Sequence, residues 1–123
     1  MLAPHEPSES TRARFRGCKL NSIVQRVWAI LEEKGVDYKY VEVNPYHKQP
    51  EFLALNPRGL VPTVEYDHKP LYESTVISEF LEEAYPDHRP RLLPENAFDR
   101  AISRIWIDFV TFVASSPRSF LVQ

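Results

Sequence analysis

The dipeptide Val61-Pro62 constrains this chain more than any other feature, because it opens an apolar run of β-forming residues. Proline has no backbone N–H to donate to a sheet, so it is confined to an edge strand or to the first residue of a strand. The bond before a proline is also the peptide bond at which the cis form costs little. A cis bond here would turn the N–H and C=O of Val61 away from the sheet, where they can pair with an extended ligand.

A second polar feature, Glu73-Ser74, immediately precedes a predicted helix. The helix is indicated by apolar residues at helical spacing, namely Val76, Ile77, Phe80 and Leu81. The N-terminus of a helix presents free N–H groups and a partial positive charge, which favour a bound carboxylate. Together the two features predict a site for a peptide-like ligand.

The composition is ordinary for a soluble globular protein and excludes several classes of function. Of the 123 residues, 43% are hydrophobic and 26% are charged, and the net charge of −2 favours neither nucleic acid nor an anionic membrane. No apolar run approaches the roughly 20 residues that span a bilayer, and the N-terminus lacks the pattern of a secretory signal. A single cysteine excludes an internal disulfide and a cysteine zinc cluster. We therefore expect a cytoplasmic protein without a bound metal; the histidines have no metal-ligand spacing and are expected in solvent, namely His5, His47, His68 and His88.

Hydrophobic periodicity predicts a helix over residues 22–34. Ser22 and Gln25 form a capping-box pattern at its start, and Lys34 is expected on a solvated face with the two preceding glutamates. Further elements are predicted as strands at 38–43, 63–66 and 70–72, a short helix at 51–55 and a helix at 74–85.

One more strand is needed before the first helix to complete a βαβαββα order. Residues 1–16 are a poor candidate because they are rich in charge, and only Ala13-Arg14-Phe15 is expected to pair, weakly. We predict a flexible tail at 1–9, an α/β domain at 10–86, a proline-containing linker at 87–96 and a helix within 97–123. The apolar stripe of this last helix, with Trp106 on it, has to pack on the first domain, on a partner or on a missing remainder.

Several motifs together resemble the glutathione transferase family, in particular its omega-like and fungal forms. They are Val24-Gln25-Arg26-Val27-Trp28, the stretch from Asn56 to Val64, Leu71-Tyr72-Glu73-Ser74, the stretch from Phe80 to Pro86, and Arg104-Ile105-Trp106. The resemblance implies a thioredoxin-like α/β domain followed by the start of an all-α domain, which looks truncated here. It also implies a homodimer that serves detoxification, either by conjugating glutathione to small electrophiles or by acting on disulfides as a glutathione-dependent thiol transferase.

The resemblance also implies the residues that bind glutathione. Val61 would hold the cysteinyl backbone through two main-chain hydrogen bonds, between Leu60 and a cis Pro62. The γ-glutamyl end would meet Glu73 through its ammonium and Ser74 through its carboxylate. Lys48 matches the loop lysine that meets the glycyl end.

The position that activates the glutathione sulfur departs from the family's pattern. Members carry cysteine, serine or tyrosine at the start of the first helix, where the helix dipole stabilises a thiolate, and the Cys-Pro of omega-like members falls on Asn21-Ser22. Three interpretations stay open: Ser22 donates its hydroxyl to the thiolate, Cys18 is the nucleophile of a longer loop, or Asn21 orients the sulfur through its amide. The alternative function is a non-catalytic binding or regulatory module, or an inactive truncated gene product.

Overall fold

The protein is described by a computed structural model that covers residues 13–115, with side chains described for residues 13–110. Eight elements follow one another as β1 (Ala13–Gly17), α1 (Ser22–Glu33), β2 (Tyr38–Glu42), α2 (Pro50–Leu55), β3 (Thr63–Tyr66), β4 (Lys69–Tyr72), α3 (Ser74–Ala84) and α4 (Ala97–Ser115). The sheet has the order β2-β1-β3-β4, with β1 parallel to β2 and the other pairs antiparallel. The predicted α/β fold class, βαβαββα followed by a helix, is confirmed. The predicted tail at 1–9 and the last residues of the predicted helical region lie outside the described residues.

Strand β1 is the largest difference from the sequence prediction. The prediction of a weakly paired, loose segment is wrong, because β1 lies between β2 and β3 and pairs with both. Its side chains alternate between two buried environments. Phe15, at 0% exposure, faces the apolar core, and Arg16, at 3%, is buried too. The alternating arginines concealed this strand, since a charged residue is rarely buried unless it is paired.

The apolar core lies between one face of the sheet and helices α1 and α3. Phe15 contacts the ring of Trp28 edge-on, with centroids 5.9 Å apart, and Trp28 stacks on Tyr40 at 4.4 Å. Each fully buried aliphatic side chain contributes about 1.5–3 kcal/mol to stability relative to an exposed one. The buried cluster comprises Phe15, Val24, Val27, Leu31, Val36, Val64, Ile77 and Leu81.

Helix α1 begins differently from the prediction, since its N-cap is Asn21 and not Ser22. The Asn21 Oδ1 atom accepts the N–H groups of Ile23 at 2.9 Å and Val24 at 3.0 Å. The side chain of Gln25 donates to the carbonyl of Lys19 and does not return to the cap. The capping box is therefore wrong, because asparagine caps as well as serine does and stands one residue earlier.

Lys34 is buried, against the prediction of a solvated face, and forms an ion pair with Glu82 of α3. Glu82 also accepts the backbone N–H groups of Leu92 at 3.1 Å and Leu93 at 3.0 Å. The ring of His88, predicted to lie in solvent, is half-buried, and its Nδ1 lies 2.9 Å from the Lys34 carbonyl oxygen. The pair thus joins the end of α1 to α3 and to the segment that leads to α4.

Replacing Lys34 with methionine tests the buried ion pair. The substitution removes the buried cation nearest to the Glu82 carboxylate and leaves it only the more distant Arg91, whose Nε lies 3.8 Å away, so we expect the free energy of unfolding to fall by up to about 3–5 kcal/mol. Urea unfolding measures it, with Lys39→Met on the exposed side of β2 as the matched control. Equal stability of the two variants would contradict this role for Lys34.

The same pair predicts a dependence of stability on pH. Burial alone would raise the pKa of Glu82, but the hydrogen bonds from Lys34 and from the Leu93 and Leu92 N–H groups outweigh it and hold the pKa below its ordinary value of 4.5. A carboxyl whose pKa is lower in the folded state stabilises the fold above the unfolded value, and this contribution is lost as pH falls through the folded value. The difference in unfolding free energy between wild type and Glu82→Gln should therefore be constant above pH 4.5 and shrink below it. Urea titrations across this range measure it, and Glu83→Gln is the control for losing an exposed carboxylate.

Candidate functional site

Residues 56–62 form the loop that leads from α2 into β3; this Val61 loop includes the segment Leu60-Val61-Pro62. The bond between Val61 and Pro62 is cis, as expected from the sequence. Leu60 is exposed, Val61 is half-buried and Pro62 is buried beside the start of the strand. The side chain of Leu60 thus faces solvent, whereas Val61 packs against the apolar core and Pro62 is buried.

Asn56, at 0% exposure, holds this loop from within. Its side-chain amide donates to the carbonyl of Leu60 at 3.0 Å and to the hydroxyl oxygen of Thr63 at 3.3 Å, and its Oδ1 accepts the Arg58 N–H at 3.2 Å. Sequence reasoning used Asn56 as the start of a family motif and missed this role. The available signal was an asparagine two residues before a turn, where its side chain can accept the N–H of residue i+2.

Lys48 approaches the same loop from the connection between β2 and α2. A Cβ atom built on Gly59 would lie 3.0 Å from Lys48 Nζ and 3.2 Å from Leu53 of α2. Gly59 also has φ +64°, a conformation that other residues rarely adopt. The positive φ thus favours glycine at this position, and the lack of a side chain leaves room for the ammonium group of Lys48 beside the loop.

Glu73 and Ser74 stand at the start of α3 in an unusual geometry. Glu73 is the N-cap residue with φ +76°, yet its side chain makes no capping hydrogen bond. Its carboxylate is exposed and pairs with Arg58 at 3.7 Å. A residue other than glycine in this region costs about 1–3 kcal/mol and is typical of sites where backbone geometry serves function. Ser74 is buried at 6% exposure beside the uncapped helix N-terminus.

The structure therefore brings most of the predicted binding residues to one loop. Lys48 contacts it at Gly59, and Glu73 contacts it through Arg58. Arg58 is exposed. The ammonium group of Lys48, the carboxylate of Glu73 and the N-terminus of α3 thus lie beside this loop, an arrangement that suits a charged peptide.

The predicted catalytic residues form a separate group at the start of α1. The carbonyl of Cys18 accepts the Asn21 N–H at 3.0 Å, and the Cys18 side chain is half-buried. Because Asn21 is the cap, the exposed Ser22 has no capping role. The hydrogen bonds of residues 18–22 within the described chain run to α1 and to Glu42, and not to the Val61 loop.

Tyr40 and Glu42 complete this second group, and sequence reasoning did not single them out. The Tyr40 hydroxyl donates to the Glu42 carboxylate, which also accepts the Lys19 N–H at 3.3 Å. Burial, reinforced by the Glu42 carboxylate, raises the pKa of Tyr40, and the Tyr40 hydrogen bond lowers the pKa of Glu42. Tyr40 thus stays protonated and orders the turn that precedes α1.

An apolar groove of about 300 Å³ lies between α1, α3 and α4. Helix α4 continues it with exposed aromatic side chains, among them Phe98, Trp106 and Phe109. Trp106 was predicted to be a core or interface residue, and here it lines the groove. Exposed apolar surface of this kind marks contact with a ligand or with further protein.

The described residues hold neither a metal-binding cluster nor a membrane-spanning helix. Within residues 13–115 no cluster of three or more histidine, cysteine or acidic side chains is arranged to hold a metal ion. Over the same range no helix has the length and apolar character needed to cross a bilayer.

Several known proteins are similar to this chain in sequence and in fold. The profile of the glutathione S-transferase N-terminal domain matches residues 22–84. A probable glutathione S-transferase, parC of Nicotiana tabacum, is 35% identical over 86 residues, which cover 69% of this chain and 39% of the tobacco protein.

Two solved structures have the same architecture. Glutathione transferase Omega 3C of Trametes versicolor superimposes with a TM-score of 0.78 at 48% identity, covering 80% of this chain and 45% of that one. Rice GST1, solved in complex with glutathione, has a TM-score of 0.77 at 29% identity, covering 81% and 47%. The chain therefore spans less than half the length of these relatives.

Replacing Asn56 with aspartate tests the support of the loop. The change places an acceptor against the Leu60 carbonyl and the Thr63 hydroxyl, and a buried polar atom without its partner costs about 1–3 kcal/mol, or more when charged. We expect lower stability in thermal unfolding and faster amide exchange over residues 58–63. Asn44→Asp, at an exposed turn, is the matched control. Unchanged exchange in the loop would contradict the role given to Asn56.

Proposed function

Because this chain belongs to the glutathione S-transferase family through its residues 22–84, we propose that it binds glutathione and transfers it to a small electrophile. One observation carries the proposal: Lys48 and Glu73 both reach the Val61 loop, one through Gly59 and the other through Arg58. The rice relative solved with glutathione supports the choice of ligand.

Each part of glutathione has a complementary partner in this arrangement, either a main-chain group or a group of opposite charge. The cysteinyl backbone pairs with the main chain of Val61, between Leu60 and Pro62. The γ-glutamyl ammonium pairs with the carboxylate of Glu73. The γ-glutamyl carboxylate binds Ser74 and the N–H groups at the start of α3. The glycyl carboxylate meets the Lys48 ammonium. Binding by backbone groups fixes the register, and the charges at both ends select a tripeptide of this length.

We propose that Ser22 activates the sulfur. Asn21 already caps α1, so the exposed hydroxyl of Ser22 is available to donate a hydrogen bond to a thiolate at the helix N-terminus. Such a donor lowers the pKa of the glutathione thiol, whose proton passes to solvent. The thiolate then forms an S–C bond with the electrophile, and the leaving group departs with the bonding electron pair.

Two other functions have a specific observation in their favour. Cys18, in the turn before α1, is the thiol that a mixed-disulfide mechanism requires, which favours a thiol transferase. In that case the Cys18 thiolate attacks the glutathione-bearing sulfur of a mixed disulfide and releases the other thiol. The N–H groups of Ile23 and Val24 are already bonded to Asn21, which favours a module that binds glutathione without activating it.

The assembly and the location are part of the same proposal. A homodimer would cover part of the exposed apolar surface of α4, where Trp106 and Phe109 stand next to each other. A cytoplasmic location agrees with the composition and with the single cysteine.

Glutathione binding is tested by isothermal titration of the purified chain. We expect saturable heat with the wild type and an affinity about tenfold lower in Ser74→Ala, because a hydrogen bond to a charged group is worth about 1.5–3 kcal/mol. Ser103→Ala on α4 is the matched control. No heat with the wild type, or the same affinity in Ser74→Ala and the control, would sink the proposed site.

The chemistry is tested by assaying the same variants with an aryl halide and with a mixed disulfide. We expect Ser22→Ala to lower kcat/KM for conjugation at least tenfold with little change in glutathione affinity, while Cys18→Ser leaves conjugation unchanged. Loss of disulfide reduction in Cys18→Ser alone would instead identify a thiol transferase. A wild type that binds glutathione but turns over neither substrate would identify a binding module.

A further inference from the structure

Arg16 is a buried arginine on the face of β1 that points away from Phe15 and the apolar core. Its Nη2 atom donates to Glu51 of α2 at 3.0 Å and lies 3.5 Å from Glu65 of β3. Its Nε has no hydrogen-bond acceptor within the described part of the chain. Because burial holds the guanidinium in place, its Nη2 atom ties the carboxylates of Glu51 and Glu65 to one point beside β1.

We propose that Arg16 is a positioning residue for the glutathione site, acting through Glu51 and helix α2 on Lys48. The inference rests on the proposed binding of glutathione and deepens it. Glu51 lies three residues after Lys48, so the anchor and the ligand-facing ammonium belong to one short segment.

Helix α2 needs such an anchor because it has only six residues. A helix of this length is not stable by itself and depends on tertiary contacts. Phe52 is its buried residue, and Arg16 holds its first turn through Glu51. Leu53, the residue after Phe52, lies against Gly59, beside Lys48. A shift of α2 would therefore disturb both contacts of Gly59, and with them the place where the glycyl end binds.

Removing the charge of Glu51 distinguishes a positioning role from a purely electrostatic effect on ligand binding. Glu51 is 66% exposed, so its replacement by glutamine does not open the core. By charge alone, loss of a carboxylate near Lys48 would strengthen binding of an anionic glycyl group. Glutamine still accepts from Arg16, but without the charge the anchor is weaker, which predicts the opposite change, so the sign of the change in affinity distinguishes the two effects.

The experiment compares glutathione with γ-glutamylcysteine, which lacks the glycyl residue, by isothermal titration. We expect Glu51→Gln and Arg16→Met to raise the Kd for glutathione about three- to tenfold, the usual range for a residue that acts through another. The Kd for γ-glutamylcysteine should stay within about twofold of wild type, because this ligand does not reach Lys48. In Lys48→Ala the further change Glu51→Gln should have no added effect, since the anchor then has nothing to position.

Glutathione and γ-glutamylcysteine affinities are also measured for a control variant on a different helix. Glu33→Gln removes one exposed carboxylate from α1 and should leave both affinities unchanged. If wild type binds glutathione and Glu51→Gln matches this control, the positioning role is wrong while the binding site stands. Equal weakening of both peptides, or full additivity with Lys48→Ala, overturns the inference as well. A wild type that binds neither peptide removes the proposed function and this inference with it. If Arg16→Met does not fold, Glu51→Gln decides the matter alone.

Discussion

The alternation of side chains on strand β1 is the constraint on which the rest of the structure depends. Because successive residues of a strand point to opposite faces, one strand in the middle of the sheet serves two layers. Phe15 fills the apolar layer under α1 and α3, and Arg16 anchors the polar layer under α2. The first layer supplies most of the stability through buried area. The second layer adds charged, directional hydrogen bonds from Arg16 to the apolar contact of the buried Phe52, and so ties α2 and β3 to β1.

The local features of this fold could be read from the sequence, and the long-range ones could not. Val61-Pro62, the start of α3 and the helix periodicities depend on neighbours within a few residues, and the structure confirms these elements. One local feature, the N-cap of α1, was placed on Ser22 and not on Asn21, but the larger errors concern charged residues whose partners are distant in sequence. Lys34 pairs with Glu82, 48 residues away, and Arg16 with Glu51, 35 residues away. A charge pattern alone is typical of solvent exposure, so nothing short of the fold itself reveals these buried pairs.

The sequence likewise predicted some residues of the candidate site and missed another. The residues that face the ligand by resemblance, Lys48, Val61 and Glu73, do gather around one loop, whereas the residue that shapes this loop, Asn56, was missed. The reason is physical. Charges that meet a ligand are exposed and stand out in a sequence, but a buried amide that satisfies carbonyl and hydroxyl groups looks like any turn asparagine.

The proposed binding and the proposed activation depend on different parts of this molecule. The proposed binding surface consists of the loop of residues 56–62 with Lys48 and Glu73 beside it. Activation would depend on residues 18–22, whose hydrogen bonds within the described chain run to α1 and Glu42. Since the two groups share no hydrogen bond there, we expect a substitution at the start of α1 to change the proposed chemistry and leave the proposed tripeptide site intact. Asn21 occupies the helix N-terminus as a neutral cap, which is why we propose the hydroxyl of Ser22 as the donor that would stabilise a thiolate. The departure from the family's pattern at the start of α1 therefore bears on how the sulfur is activated, and the geometry of the loop bears on where it lies.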